Sequence, residues 1–286
     1  MTSFDLIEPY TLEEAFSLLD SGDPAVRPIS GGTALMLMIK AKIFKPVRLV
    51  SLRRLGQRFS GIEVSPDSSS VRIGAMTTFA ELEHSADVKH HLPVIKPTML
   101  TLANVRVRNV ATVGGNLAHG DPHLDLPPVW TALGARVRVL SKVQERTIPV
   151  EQVFAGYYET TLAQGELIES IEVPLKPGWR SHYTKVMTRG PHDWPALGIA
   201  LSAKIDGNRI EDLRLVLSAA VDRPTRLDGA EKVLRGATIE EALLDRAAEA
   251  AVSEVDIKPD LRGSTEYKKH LLRVYVGRTI KKLQGG

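Results

Sequence analysis

The spacing of apolar positions changes several times along the chain, and each change marks an element. Leu12, Ala15, Phe16 and Leu19 recur at helical intervals behind Thr11, and Glu14 completes a capping box, so a short helix is expected over 11–20. Gly22-Asp23-Pro24 ends it. Residues 26–29 read as a strand, 33–41 as an apolar helix and 49–52, after Pro46, as a second strand, which is βαβ in local order. Alternation over 62–64 and 71–75 around Pro66 and Asp67 predicts a hairpin. Thr78 and Glu81 form a second capping box, and a partly helical region interrupted by Pro93 and Pro97 runs on to Leu102. Residues 127–133 predict a short helix stopped at Gly134, 136–140 an alternating strand, 154–162 a loop and turn, and 166–174 a strand ended by proline. Pro174-Leu175-Lys176-Pro177-Gly178 is the expected domain boundary. Beyond it come strand patterns at 182–187, 196–205 and 210–220, with Asp206-Gly207-Asn208 as a hairpin turn. Helical patterns over 228–234, 239–252 and 265–283 close the chain. Strands followed by helices predict an antiparallel sheet covered on one face.

Composition changes this picture little. Hydrophobic residues at 43% and charged residues at 25% are ordinary for a globular protein. Lys and Arg number 37 against 34 Asp and Glu, so nothing calls for a nucleic-acid partner. Lys268, Lys269, Arg273, Arg278, Lys281 and Lys282 read as the solvated face of a helix. The chain has no cysteine, which excludes disulfides, thiolate zinc sites and iron–sulfur clusters held by this chain alone. No basic segment leads into an apolar one near Met1, so no signal peptide is expected. The longest apolar run, 34–43, is broken by Lys40 and Lys42 and falls short of the ~18 residues of a membrane span. A cytoplasmic protein without a membrane span is expected.

Two stretches concentrate glycine and hydrogen-bonding groups. In Ser30-Gly31-Gly32-Thr33 an extended approach leads into an apolar helical run. In Ala111-Thr112-Val113-Gly114-Gly115-Asn116 the same layout is followed by His119, Asp121, His123 and Asp125, then by Leu126-Pro127-Pro128. Paired glycines let backbone N–H groups approach a ligand, and a helix start beside them adds positive potential. A plain tight turn with a helix start would look the same for either pair alone. Together they predict two loops that close on one ligand from both sides, and a diphosphate, with many acceptor oxygens, suits them. Neither is a Rossmann loop, because the Gly-x-Gly-x-x-Gly spacing is absent, and no Gly-Lys-Ser/Thr occurs to make a P-loop. His119, Asp121, His123 and Asp125 permit a metal on bare chemistry. Pro122 breaks their spacing and no second cluster completes a coordination set, so no metal is expected. No nucleophile–base pair for substrate chemistry is evident, and no catalytic residue is assigned.

The pairing of Ile29-Ser30-Gly31-Gly32-Thr33-Ala34-Leu35 with the stretch from Thr112 through Asp125 to Pro128 resembles the FAD-binding medium subunit of molybdenum hydroxylases, the xanthine dehydrogenase and carbon monoxide dehydrogenase relatives. The resemblance runs from Phe4 to the last helix. It implies an α+β chain: a two-lobed PCMH-type FAD-binding fold, like that of vanillyl-alcohol oxidase, over 1–176 with lobes at about 1–55 and 56–176, then a C-terminal α+β domain over 177–286 whose antiparallel sheet is covered by helices. It implies FAD here, molybdopterin in a large partner subunit and two [2Fe–2S] clusters in a small one. Assembly as a dimer of heterotrimers would pass electrons through the flavin to an external acceptor, and the missing cysteines agree with that division of labour. A free-standing flavin oxidoreductase and a non-redox nucleotide-binding scaffold are the alternatives.

The resemblance also implies roles for single residues. Ile29 through Leu35 would wrap the diphosphate and ribityl part of FAD with the N–H groups of Gly31, Gly32, Thr33 and Ala34, and Thr112, Gly114, Gly115 and Asn116 would do so from the other side. His119 and Asp121 would lie beside the cofactor, Asp125 would bond the adenosine ribose or cap the Pro127 helix, and the Ile168 backbone would meet the adenine. Lys185 would stand at the flavin pyrimidine end, or snorkel off a strand. In Arg189-Gly190-Pro191-His192-Asp193-Trp194, relatives usually read Arg-x-Gly-Asp-Tyr-Ala; Trp194 would shield one flavin face, or anchor a strand as a core residue. Arg106 and Arg108 could complement a diphosphate, though exposed arginines are the ordinary case.

Overall fold

The computed structural model describes residues 3–190 and 193–284; Pro191 and His192 of the Arg189–Trp194 stretch lie outside them. The chain opens with β1 (Asp5–Ile7), α1 (Leu12–Leu19), β2 (Val26–Ile29), α2 (Thr33–Lys40) and β3 (Arg48–Ser51), which build a parallel sheet in the order β1-β3-β2. Thr11 caps α1 by accepting the Glu14 N–H at 3.1 Å. Parallel neighbours need a crossover, and α2 supplies it between β2 and β3. β1 has no counterpart in the apolar pattern, because its three residues are mostly exposed and never alternate.

β4 (Ile62–Val64) and β5 (Ser70–Gly74) form the expected hairpin. A helical stretch follows: α3 (Phe79–His84), α4 (Ala86–His91), α5 (Ile95–Thr101), α6 (Val105–Arg108), α7 (Val113–His119) and α8 (Leu126–Leu133). Thr78 and Glu81 complete the capping box at α3. Then come β6 (Arg136–Leu140), β7 (Glu145–Pro149), the short pair β8 (Phe154–Gly156) and β9 (Glu159–Thr160), and β10 (Leu167–Pro174). The second sheet runs β4-β5-β10-β6-β7, so β10 enters at its centre, between strands made much earlier. That central place explains its nearly unbroken burial.

The last third holds β11 (Trp179–Val186), β12 (Leu197–Asp206), β13 (Arg209–Ser218) and β14 (Thr225–Arg226), antiparallel in that order, with α9 (Asp228–Leu234), α10 (Glu241–Glu254) and α11 (Thr265–Gln284). Ile199, Leu201, Leu215 and Leu217 pack into one core with Leu244, Ala247, Leu272 and Val276 of the helices. Ala200 and Val216, at alternate positions, join the core of the first two sheets. The sheet is therefore covered on both faces, not on one: α9–α11 lie on one side, and α8 packs on β12 and β13. This is why all eight residues of α8 are buried. The sheet thus reaches across to the glycine-rich region, and that contact places Tyr183, Lys185 and Trp194 within reach of it.

Candidate functional site

β2 delivers the chain to Ser30, and the Ile29 carbonyl accepts the Leu52 N–H at 2.9 Å, which pins the strand end. Gly32 then turns the chain at φ +70°, where a Cβ would also meet Ile29 Cδ1 at 2.9 Å. Thr33, Ala34 and Leu35 form the first turn of α2. Their N–H groups have no acceptor inside the helix, and among the described residues no side chain caps them. Residues 30–35 are all half-buried, so this row of donors at the positive end of a helix dipole is reachable by an anion.

The second stretch departs from the loop that its sequence suggests. Gly114 and Gly115 lie inside the first turn of α7, with Thr112 as its cap. The Gly115 N–H donates to Thr112 Oγ1 at 3.1 Å, the Gly114 N–H to the Ala75 carbonyl at 2.8 Å and the Asn116 N–H to the Thr112 carbonyl at 2.9 Å. The backbone donors expected to grip a diphosphate from this side are occupied within the chain. The glycines have another reason to be there. A Cβ on Gly114 would meet Ala75 Cβ at 2.5 Å, and one on Gly115 would meet Ser30 Oγ at 2.6 Å and Thr112 Oγ1 at 2.9 Å. A Cβ on Gly31 would run into the Val110 carbonyl. The two stretches pack on each other, joined by the Thr112 hydroxyl, which donates to Ser30 Oγ at 3.0 Å across 82 positions of sequence. What the second stretch leaves open is a side chain: among the described residues, Asn116 Oδ1 is buried without a partner. Buried unsatisfied acceptors are uncommon, and this one suits a ligand hydroxyl.

Asp125 occupies the N-cap position of α8, but its side chain caps nothing. Its Oδ1 accepts the Tyr183 hydroxyl at 2.7 Å and its Oδ2 the Lys185 ammonium at 2.9 Å. Lys185 also donates to the Thr101 carbonyl at 2.8 Å. Both charged side chains are nearly closed to solvent, at 6% and 4% exposure. Burial pushes the Asp125 carboxyl up against the pull of Lys185, and burial also drives the Tyr183 phenol well above its ordinary value. One ion pair cannot stand at both the adenosine ribose and the flavin pyrimidine of an extended FAD, so the two expected placements exclude each other in that conformation. Ile168 is buried in β10, beyond the point where β5 stops pairing at Ser170. Arg108 is taken up by Glu83 at 2.9 Å and by the Leu102 and Ala103 carbonyls, while Arg106 is exposed.

His119 ends α7, half-buried, with its ring edge-on to Tyr158 at 5.2 Å. Burial holds its pKa below 6.5, partly offset by Asp121. Asp121 is buried and accepts both the backbone N–H and Nδ1 of His123, at 3.0 and 2.9 Å. Burial would raise its pKa, but the His123 bonds outweigh burial and leave the carboxyl below its usual range. His123 Nε2 meets Asp260 Oδ2 at 3.0 Å, and the ring stacks on Trp194. These acids and imidazoles are engaged with one another and with the segment before α11. Among the described residues no group of His, Cys, Asp or Glu is arranged to hold a metal ion. Tyr157, Tyr158, Tyr183, Asp260 and Arg262 were not legible as site residues. An adjacent tyrosine pair between Gly156 and Glu159 was the one local signal; the others arrive from strands and segments far along the chain.

Comparison with known proteins gives this arrangement a family. Residues 2–176 match the model of the FAD-binding domain in molybdopterin dehydrogenase, and residues 182–283 that of the CO dehydrogenase flavoprotein C-terminal domain. The chain is similar to the glyceraldehyde dehydrogenase medium chain of Sulfolobus acidocaldarius, 30% identical over 280 residues that cover 98% of each. It is also similar to the nicotine 6-hydroxylase medium subunit of Paenarthrobacter nicotinovorans, 32% identical over 273 residues, covering 95% of this chain and 94% of the relative. Among solved structures, carbon monoxide dehydrogenase from Hydrogenophaga pseudoflava superposes with a TM-score of 0.93 at 30% identity, covering 98% of this chain and 96% of that one. Two family models that together span nearly the whole chain, and relatives matched end to end, lead to one conclusion: the chain belongs to the FAD-binding medium subunits of the molybdenum hydroxylases.

Proposed function

We propose that this chain holds FAD against the start of α2 and the Thr112–Asn116 face, takes electrons from [2Fe–2S] clusters of a small partner subunit and passes them to an external acceptor. A large molybdopterin-binding subunit would oxidise the substrate, in a cytoplasmic dimer of heterotrimers. Among the described residues no helix is long and apolar enough to cross a membrane. The division of labour within the chain follows the same reading: 1–176 bind the cofactor, and 177–286 supply the wall that carries Tyr183, Lys185 and Trp194.

The observation that carries the proposal is the meeting of the two glycine stretches at Ser30 and Thr112, with an uncapped helix start on one side and the orphaned Asn116 acceptor on the other. A dinucleotide offers what each lacks: phosphate oxygens for the Thr33–Leu35 N–H groups and hydroxyls for Asn116 Oδ1. FAD, when bound, supplies the exchange between one-electron donors and a two-electron acceptor. The protein orients it. Gly31 and Gly115 let the two walls close, Ser30 and Thr112 hold them together, and Asp125 aims the Lys185 ammonium. We place that ammonium at the flavin ring rather than at the ribose.

Purification of the chain with bound partners tests this directly. Stoichiometric flavin absorbance together with large molybdopterin and small iron–sulfur subunits is expected; colourless protein that takes up no added FAD would sink the proposal. Lys185→Met is best made with Asp125→Asn, since a lone buried carboxylate is strongly destabilising. Measured against Asp125→Asn alone, so that only the cation differs, that pair should lower the flavin potential by roughly 30–60 mV, the two-electron equivalent of about 1.4–2.8 kcal/mol of lost charge pairing. An unchanged potential would remove Lys185 from the flavin.

A further inference from the structure

Trp194 keeps 45% of its surface open, yet its indole is held. His123 stacks on it with ring centres 5.6 Å apart and planes 15° apart. The Arg262 guanidinium lies 5.1 Å from the centre of the same indole, and its Nε donates to the Trp194 carbonyl at 3.1 Å. His123 is itself strung between two carboxylates, with Nδ1 2.9 Å from Asp121 Oδ1 and Nε2 3.0 Å from Asp260 Oδ2. Both ring nitrogens face carboxylate oxygens, so turning the ring over would set carbon against oxygen. The Asp260 anchor is fixed in turn. Asp260 accepts Lys268 Nζ at 3.0 Å and the Arg262 N–H at 2.7 Å, and Lys268 also donates to the Ala219 carbonyl at 3.2 Å. Tyr157 closes the remaining side of the imidazole edge-on at 6.4 Å.

We propose that His123 is a positioning residue: it bridges the turn after α7 to the segment before α11 and sets the plane of the Trp194 indole. The wall that Trp194 forms is then rigid instead of a swinging cover. The proposal rests on the FAD reading only for what that wall does, which is to restrict how an acceptor approaches the flavin ring; the clamp itself stands on the contacts above.

The test uses the full chain labelled with 5-fluorotryptophan. Its three tryptophans give separate fluorine NMR signals, and Trp194→Phe assigns the one that matters. In His123→Gln the Trp194 signal should move towards its denatured position, with the undocked indole about fivefold more populated, as expected for loss of a stacked pair. The Trp130 and Trp179 signals should stay in place, which a general loosening would not allow. Asp260→Asn, which removes the charge at Nε2, should shift the same signal in the same direction by less, and it serves if the first variant does not fold. A Trp194 signal that coincides with wild type in both variants overturns the clamp. Flavin content is scored separately. A chain that binds no FAD defeats the flavin reading while the NMR result still decides the clamp, and an unmoved signal in flavin-loaded protein defeats the clamp alone.

Discussion

Ser30-Gly31-Gly32-Thr33 and Thr112-Val113-Gly114-Gly115 look alike as sequences, and their backbones do opposite things. In the first, a glycine at positive φ turns the chain, and the N–H groups behind it face no acceptor among the described residues. In the second, the glycines are already helical, and the N–H groups end on Thr112 and Ala75. The difference lies in the neighbours. The second stretch packs against the segment after β5, whose Ala75 and Thr77 carbonyls accept from the new helix, whereas among the described residues no carbonyl or side chain accepts from the first turn of α2. One stretch is therefore suited to hold an anion through its backbone. The other offers side chains and a flat surface against which the first can lie.

The strongest way to break this comparison is to force the stretches apart. Gly31→Val drives a side chain into the Val110 carbonyl, backbone that cannot rotate away. It should remove nearly all FAD and cost about 2–3 kcal/mol of stability, read as flavin absorbance per chain and a urea midpoint. Normal flavin content would mean that the two faces need not touch. Gly115→Ala is milder, because the atoms in its way are the Ser30 and Thr112 hydroxyls. A loss of about 1–2 kcal/mol is expected, and adding Ser30→Ala should restore part of both stability and FAD retention by removing the nearest atom. No recovery in the double variant would point to strain elsewhere.

Smaller effects sharpen the contrast. Thr112→Ala loses both the α7 cap and the link to Ser30, so about 1–2 kcal/mol is expected, while Ser30→Ala loses the link alone and should cost about 0.5–1 kcal/mol. Equal losses in thermal melts would deny the cap. The smallest effect is the response to pH. The first stretch has no titratable side chain from Ile29 to Ile39, but α7 ends on His119, whose folded pKa lies below its unfolded one because it is buried. The unfolded chain then binds the proton more readily. Stability from this group is full above about pH 6.5 and falls as pH drops towards the depressed folded value. His119→Gln should flatten that slope in denaturant titrations; an unaltered slope assigns the proton to another group.

Much of the architecture could be read from the sequence because its signals are local. The Thr11 cap, the capping box at Thr78, the Gly134 stop and the βαβ order around α2 each depend on a few neighbouring residues, although Glu14 accepts the Tyr10 N–H and so does not complete the box expected at Thr11. β7 and β14 left weaker traces, since short half-exposed strands alternate poorly. In the candidate site the glycines, Thr112, Asn116, Asp125 and Lys185 were visible as residues, while their partners were not. Lys185 meets Asp125 from 60 positions away, and His123 meets Asp260 from 137.

The sequence by itself determined most of the helices and longer strands, where glycine had to stand, and that the chain resembles a flavoprotein subunit. Only the tertiary structure decided which N–H groups remain unsatisfied, which carboxylate each cation meets, and that α8 fills the second face of the last sheet. Periodicity and capping are set within a turn or two of chain, but a hydrogen-bond donor is free or engaged according to what distant segments bring against it, and no local pattern records that.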